Sequence, residues 1–181
     1  MDGSKFVRKR RFQLLLEFIK YIYKAFAVSR KGVHIGLVVF TDTGKLQFGL
    51  RDHFSLTGLD SAMEQVNYPG ESGHSVGQAV SDTKRLLFDV SGRKKVKKTL
   101  VTIVVGKSDD DVGPWATALK TDKITSVVVG IKRNNVKQIE TLATSSEHYV
   151  INIRYHFLGR ILQNVIKMIL TGMFKKINLD F

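Results

Sequence analysis

Short apolar runs alternate with segments of helical periodicity along most of the chain, and this alternation restricts the fold more than any other feature. Three of the runs, at 34–41, 100–105 and 124–131, are rich in β-branched residues, which is typical of strands buried on both faces. A further strand is predicted at 148–153. Because strands that alternate with helices through short loops form βαβ units, we expect an α/β fold, doubly wound, with a mostly parallel central sheet and helices on both faces.

The remaining elements fit this three-layer arrangement. Apolar residues recur every three or four positions over 5–28, which predicts an amphipathic helix that ends at Gly32. The segment 45–50 follows the first apolar run after the turn Asp42-Thr43-Gly44, so the two segments are predicted to form a hairpin with one antiparallel edge strand. Further helices are predicted at 56–66, 75–88, 134–144 and 155–170, and one is predicted to begin at Trp115.

Composition narrows the classes of function. The chain of 181 residues has 29 Lys and Arg against 16 Asp and Glu, and the net charge of +13 favours acidic partners. The absence of cysteine excludes a disulfide framework, a thiolate zinc site and cysteine catalysis. A single domain over 1–181 is expected from this length. No apolar run is long enough to predict insertion into a membrane.

The motifs of common enzyme classes are missing. The sequence contains neither the GxSxG pattern of a nucleophile elbow nor the GxGxxG pattern of a dinucleotide site. Gly106-Lys107-Ser108 lacks the upstream glycine of a phosphate-binding loop, and no histidine pair has the HxxxH spacing of a metal site. We therefore expect a non-enzymatic protein with no catalytic residues.

Two basic clusters are the main candidates for a binding function. The first basic cluster lies at the start of the first predicted helix, and the second precedes the strand at 100–105. Such dense positive charge suits arrays of sulfate or phosphate groups, whereas the alternative is a solvated helix face and a solubilising connector. No aromatic residue interleaves with either cluster, which disfavours binding of nucleic acid. The candidate polyanion-binding residues are Arg8, Lys9, Arg10, Arg11, Arg93, Lys94, Lys95, Lys97 and Lys98.

Seven segments, in chain order, resemble the von Willebrand factor type A domain, in particular the domains of matrix proteins such as collagen VI chains and matrilins. The resemblance covers essentially the whole chain. It rests on MDGS (1–4), IGLVVFTD (35–42), YPG…GQAV (68–80), LVTIVVGKSDDDV (100–112), SVVVGI (126–131), IETLATSSEHYVINI (139–153) and the terminal helix.

The resemblance implies a divalent cation site, but this sequence departs from it. The family's site combines a DxSxS loop, a threonine and an aspartate, and such oxygen ligands suit Mg²⁺. Asp2 and Ser4 match the loop, whereas Phe6 takes the place of its second serine. The threonine position falls on His74, with Ser75 beside it as a substitute, and the aspartate position falls on Val105. Asp2 and Ser4 are therefore predicted to be remnants of a degenerate site, Mg²⁺ is disfavoured, and no cofactor is expected.

The acidic residues near this site have structural interpretations. Asp2 and Ser4 are predicted to cap the first helix, because both side chains can accept backbone N–H groups. The run Asp109-Asp110-Asp111 is predicted to form the N-terminal turn of the following helix, where the helix dipole favours negative charge.

The resemblance also implies a first strand ahead of residue 1, which this sequence does not contain. The C-terminal segment 177–181, INLDF, followed by MDGS would form such a strand. Residues 177–181 are therefore predicted to supply the central strand, from the same chain or from a neighbouring copy. The alternative is a frayed C-terminal end.

Function is predicted from the resemblance. It implies an extracellular, secreted module for matrix adhesion or assembly that binds collagen, another matrix protein or another type A domain. One alternative is a module that binds heparin or another sulfated glycan through the two basic clusters. Another is an intracellular scaffold domain, since the chain has no cysteine.

Overall fold

The computed structural model describes residues 1–90, 93, 95–131, 136–152 and 154–173. Its helices and strands follow the predicted alternation. The helices are α1 (Lys9–Lys24), α2 (Leu56–Glu64), α3 (Val76–Thr83, continued by a π-helix at Lys84–Asp89), α4 (Gly113–Thr121), α5 (Val136–Leu142) and α6 (Leu158–Met173). The strands are β1 (Leu37–Phe40), β2 (Gly44–Phe48), β3 (Lys98–Val105), β4 (Ile124–Ile131) and β5 (Tyr149–Asn152).

The strands form the predicted sheet. β3, β4 and β5 pair in parallel in that order, with β3 matched to β4 along its whole length from Lys98↔Ile124 to Val105↔Ile131. β1 and β2 form the predicted antiparallel hairpin, which places β2 at an edge. The predicted doubly wound α/β architecture is therefore confirmed.

Residues 1–3 join the hairpin to the parallel strands. The Gly3 amide donates to the Phe40 carbonyl at 2.8 Å, and the Phe40 amide donates to the Met1 carbonyl at 3.0 Å. On the other side, the Asp2 amide donates to the Ile103 carbonyl at 3.0 Å. This three-residue segment thus lies between β1 and β3, at the centre of the sheet. The predicted strand at 177–181 lies outside the described residues and stays a prediction.

Helices cover both faces of the sheet, each over its own apolar core. One core packs α1 and α6 against alternate strand residues such as Ile103 and Val129. The other packs α3, α4 and α5 against the intervening residues, such as Val104 and Val128. Because neighbouring strand residues point to opposite faces, strands buried on both sides must be apolar at every position, which explains the continuous runs in the sequence.

Two predicted helix boundaries were wrong. α1 begins at Lys9, because Arg8 has a positive φ of 66° that breaks the helix on its N-terminal side. α1 ends at Lys24, where the Ala25 amide donates to the Ile22 carbonyl and the Phe26 amide donates to the Tyr23 carbonyl, both at 3.1 Å. Gly32 lies in a separate turn, in which its amide donates to the Ser29 hydroxyl at 2.9 Å. Among the described helices, none is long and apolar enough to cross a membrane.

Candidate functional site

Three loops meet at the carboxyl edge of the sheet, the edge at which the parallel strands end. They are the turn that follows Gly3, the loop before α3 and the loop between β3 and α4. The Asp109 amide donates to the His74 carbonyl at 2.9 Å, and the Ser75 amide donates to the Thr41 carbonyl at 2.9 Å. Sites of α/β sheets form at this edge because the loops that follow parallel strands converge there.

Asp2 is fully buried at the centre of this edge, and the protein itself occupies both of its carboxylate oxygens. Oδ1 accepts the Ser4 amide at 2.9 Å. Oδ2 accepts the Val105 amide at 2.9 Å and lies 2.8 Å from Nε2 of His74. The Asp2 carboxylate is therefore held by the Ser4 amide of the following turn, the Val105 amide of β3 and one imidazole ring.

His74 is also fully buried, and each of its ring nitrogens faces an acceptor. Nδ1 lies 2.8 Å from the Lys107 carbonyl oxygen, and Nε2 lies 2.8 Å from the Asp2 carboxylate. Burial by itself would lower the pKa of His74, but the hydrogen bond and charge of Asp2, the Lys107 carbonyl and the charge of Asp109 together raise this pKa above its ordinary value. Because a carbonyl and an ionised carboxylate can only accept, the geometry favours the doubly protonated imidazolium.

The donors around Asp2 do not fit a Mg²⁺ ion. Mg²⁺ needs near-octahedral oxygen ligands, whereas Phe6 presents a ring that packs edge-on to His74 at 5.3 Å between centroids. The Ser4 hydroxyl is buried without a hydrogen-bond partner in the described part of the chain. Among the described residues, no cluster of three or more His, Cys, Asp or Glu could hold a metal ion.

The aspartate run was predicted to start the following helix, and for two of its three members this is wrong. Asp110 caps the preceding helix α3 instead, because its carboxylate accepts the amides of Gly77 at 2.9 Å and Gln78 at 2.7 Å. Asp109 accepts the His74 amide at 3.0 Å. Only Asp111 serves the start of α4, by accepting the Gly113 amide at 2.9 Å. The folded loop thus points back across the edge, which a local sequence pattern does not reveal.

The predicted capping of the first helix by Asp2 and Ser4 is also wrong. A turn separates them from α1, in which the Val7 amide donates to the Ser4 carbonyl at 3.1 Å. The residue before α1, Arg8, makes no side-chain cap. The Asp2 carboxylate contacts β3 and His74, and it does not cap α1.

The first basic cluster lies beside this site, at the start of α1. Arg8, Lys9 and Arg10 are exposed, and none of the ion pairs between described residues involves them. Arg11 is half-buried and places its guanidinium 5.1 Å from the centroid of the Tyr155 ring. The exposed members form a positive rim next to Phe6.

The second basic cluster lies at the opposite edge, where β3 begins. Arg93 donates to the Gly32 carbonyl at 3.0 Å, and Lys98 donates to the Phe88 carbonyl at 3.1 Å. Lys95 and Lys97 are exposed, and Lys94 lies outside the described residues. The structure therefore does not bring the two clusters together, and it gives Arg93 and Lys98 structural contacts.

Comparisons with known proteins agree with this architecture. The family model described as von Willebrand factor type A domain matches residues 1–164. The collagen alpha-4(VI) chain of Mus musculus is 27% identical over 172 residues, which cover 95% of this chain and 7% of that protein. Cochlin of Homo sapiens is 27% identical over 172 residues, which cover 95% of this chain and 31% of cochlin. The chain thus spans less than a third of these two relatives.

A solved structure shares the fold. Proximal thread matrix protein 1 from the mussel byssus superposes with a TM-score of 0.86 at 20% identity, over 92% of this chain and 44% of that chain. Another structure of the same mussel protein, described as having a zinc occupied MIDAS motif, gives a TM-score of 0.84 at 22% identity, over 93% of this chain and 43% of that chain. At this identity the likeness concerns the fold.

Proposed function

Because the chain belongs to the von Willebrand factor type A domain family, we propose that it is a non-enzymatic adhesion or assembly module of the extracellular matrix. It binds a matrix protein, such as a collagen or another type A domain, through the carboxyl edge of its sheet and without a bound metal ion. The buried pair of Asp2 and His74 carries this proposal. Relatives named as collagen and as a byssal matrix protein support the matrix setting.

Metal independence follows from charge balance at the edge. A cation at Asp2 would have to displace a protonated imidazole and compete with the Val105 amide for Oδ2. The only new ligand that the cation would gain beside Asp2 from the predicted remnant residues is the Ser4 hydroxyl, which is neutral. Since breaking a buried ion pair is costly, a dissolved ion would have to offset the loss of the contact between His74 and Asp2, which disfavours a metal here.

The surface at this edge offers a partner an aromatic anchor with a charged rim. Phe6 is 43% exposed although its ring rests on His74. The exposed Arg8, Lys9 and Arg10 lie next to it, and arginine and aromatic side chains are enriched at the energetic centres of interfaces. A complementary partner would present an apolar surface to the Phe6 ring, with acidic groups around it that face the basic residues.

Binding to immobilised collagen tests this function. We expect equal binding in EDTA and in Mg²⁺, and at least a tenfold weaker affinity for Phe6→Ala. Tyr21→Ala is the matched control, because Tyr21 is an exposed aromatic residue towards the other end of α1, and it should bind as the wild type does. Binding that disappears in EDTA would contradict metal independence, and equal loss in both variants would contradict the proposed surface.

The exposed first basic cluster supports a second function, binding of a sulfated glycan. The charges of Arg8, Lys9 and Arg10 are free of ion pairs with described residues, so they are available to sulfate groups. Heparin resin and a cation-exchange resin of matched charge density separate a shaped site from net charge. Lys9→Gln/Arg10→Gln should elute from heparin at lower salt than Lys95→Gln/Lys97→Gln, which removes the same charge at the other edge. Equal elution of the two variants would exclude a local glycan site.

A further inference from the structure

The starts of α1 and α6 lie together at the carboxyl edge of the sheet. α6 begins directly after the 3₁₀ turn Tyr155–Phe157, which follows β5, and both this turn and α6 pack against α1. Neither the segment 5–16 nor the segment 154–173 contains an acidic residue. The fold therefore joins two segments that are distant in the sequence and whose charged side chains are all basic.

Aromatic rings hold two arginine side chains along this junction. The Arg11 guanidinium lies 5.1 Å from the centroid of the Tyr155 ring, and the Arg160 guanidinium lies 4.4 Å from the centroid of the Phe157 ring. His156 packs edge-on to Phe157, with 4.4 Å between the ring centroids. The contacts form a series from α1 through the turn to α6. The sequence shows no aromatic residue within the first basic cluster, but the fold supplies rings from another segment.

The basic groups around these rings face the solvent. Among the described residues, no ion pair involves Arg11 or Arg160. A guanidinium that rests on a ring is already oriented, so it loses less freedom when a ligand binds. We call this region the α1–α6 basic surface, and its exposed basic residues are Arg8, Lys9, Arg10, Arg154, His156 and Arg160.

The rings of the α1–α6 basic surface are already in contact with basic side chains. Tyr155 is buried beside Arg11, and Phe157 is half-buried and contacts both Arg160 and His156. Single-stranded nucleic acid binds by stacking its bases on free aromatic faces, so this arrangement disfavours it. A stacked guanidinium keeps its N–H groups at its edge, where they can form paired hydrogen bonds with sulfate oxygens.

We propose that the α1–α6 basic surface binds one chain of a sulfated glycan, which crosses from the start of α1 to the start of α6. The proposal rests on the second function given above and adds residues of α6 to the first basic cluster. Sulfate groups contact Lys9 and Arg10 on α1 and Arg160 on α6. Phe157 is a positioning residue, because it acts through the Arg160 guanidinium.

Isothermal titration calorimetry with a heparin octasaccharide tests this surface. Arg160→Gln should weaken the affinity by roughly threefold to fivefold, as for the loss of an exposed ion pair. Arg30→Gln is the matched control, because the exposed Arg30 guanidinium lies 4.7 Å from the centroid of the Phe54 ring, ahead of β1 and at the opposite edge. It should bind as the wild type does. No loss for Arg160→Gln, or an equal loss for Arg30→Gln, would overturn the proposal.

A second variant tests the ring without any change of charge. Phe157→Leu should weaken octasaccharide binding by about twofold to fivefold, because Arg160 loses the ring that orients it, and should leave elution from a cation-exchange resin unchanged. Phe54→Leu removes the ring beside Arg30 and should have no effect on binding. Melting temperatures well above the assay temperature establish that both variants are folded. Equal affinities of the two variants would overturn the positioning role of Phe157.

Stoichiometry and a second ligand separate the remaining outcomes. One octasaccharide should bind per chain in the wild type, whereas two per chain would show separate sites on α1 and α6 and overturn a continuous surface. If Lys9→Gln/Arg10→Gln weakens binding and Arg160→Gln does not, the glycan function stands and its extension to α6 fails. If neither variant weakens binding, the glycan function itself fails. A single-stranded oligo-dT of matched charge should bind more weakly, and equal binding would overturn the choice of a sulfated ligand.

Discussion

Nε2 of His74 lies 2.8 Å from Oδ2 of Asp2, and both side chains are fully buried. The pair joins the segment that runs through the centre of the sheet to the loop before α3. The resemblance to the family predicts that these two positions match a metal-ligating aspartate and a threonine. In the structure an imidazole ring, and not a ligand oxygen, lies beside the carboxylate, and the raised pKa of His74 favours its positive charge there.

Loss of this pair should destabilise the fold. His74→Thr leaves the Asp2 carboxylate buried without its partner, which costs about 3–5 kcal/mol when one member of a buried ion pair is removed. Urea unfolding followed by circular dichroism gives the free energy of unfolding. His156→Thr is the control, because His156 is exposed, and it should change this free energy by less than about 0.5 kcal/mol. A small effect of His74→Thr would mean that the pair contributes little.

The contribution of His74 to stability should fall as the pH rises above the ordinary histidine pKa. The pKa of His74 is raised in the folded state, so the folded protein holds this proton more tightly than the unfolded chain does. Its contribution is complete below the unfolded pKa of about 6.5 and is lost as the pH rises through the folded pKa. Burial lowers the pKa of the Met1 amino group to about 5, and this group makes stability rise between pH 5 and its ordinary value of 8.0.

Because these two contributions oppose each other, the difference between the wild type and His74→Gln isolates the histidine. Melting temperatures of both proteins from pH 6 to pH 9 give this difference. We expect the advantage of the wild type to shrink across the range. A constant difference would show that His74 does not titrate there.

Divalent cations should leave the melting temperature of the wild type unchanged. A ligand stabilises a protein only if it binds the native state, and the Asp2 oxygens are already occupied by protein groups. Differential scanning fluorimetry with Mg²⁺ and Mn²⁺, against EDTA, makes the measurement. Phe6→Ser/His74→Thr restores two oxygen ligands and should gain thermal stability with Mg²⁺. A clear shift in the wild type would contradict the assignment of an internal cation.

Asp110 should contribute more to stability than its neighbour Asp111. Asp110 accepts two amides at the start of α3, so Asp110→Ala should cost about 1–2 kcal/mol, the upper part of the range for a helix cap. Asp111 is exposed and accepts one amide, and Asp111→Ala should cost less than half as much. Chemical denaturation of both variants compares them at equal change of charge. Equal losses would show that charge, not capping, sets the effect.

The local sequence pattern was sufficient to predict most of the helices and strands of the fold. The β-branched runs that became β3 and β4 must be apolar at every position because both faces are covered, and this signal is contained in the sequence alone. The hairpin of β1 and β2 followed from a turn between two apolar segments. Boundaries were less predictable. Arg8 has a positive φ although it is not a glycine, so the residue type gave no signal for this turn. The side-chain cap that Asp110 gives to α3 joins residues 33 positions apart.

Some features of the candidate site could also be predicted from the sequence, whereas others required the tertiary structure. From the sequence, the resemblance to the family predicted that Asp2, Ser4, Phe6 and His74 lie at the positions of a degenerate site, because each can be aligned with a short motif. Only the tertiary structure decided that His74 contacts Asp2, since 72 residues separate them and their distance depends on how the loops close over the sheet.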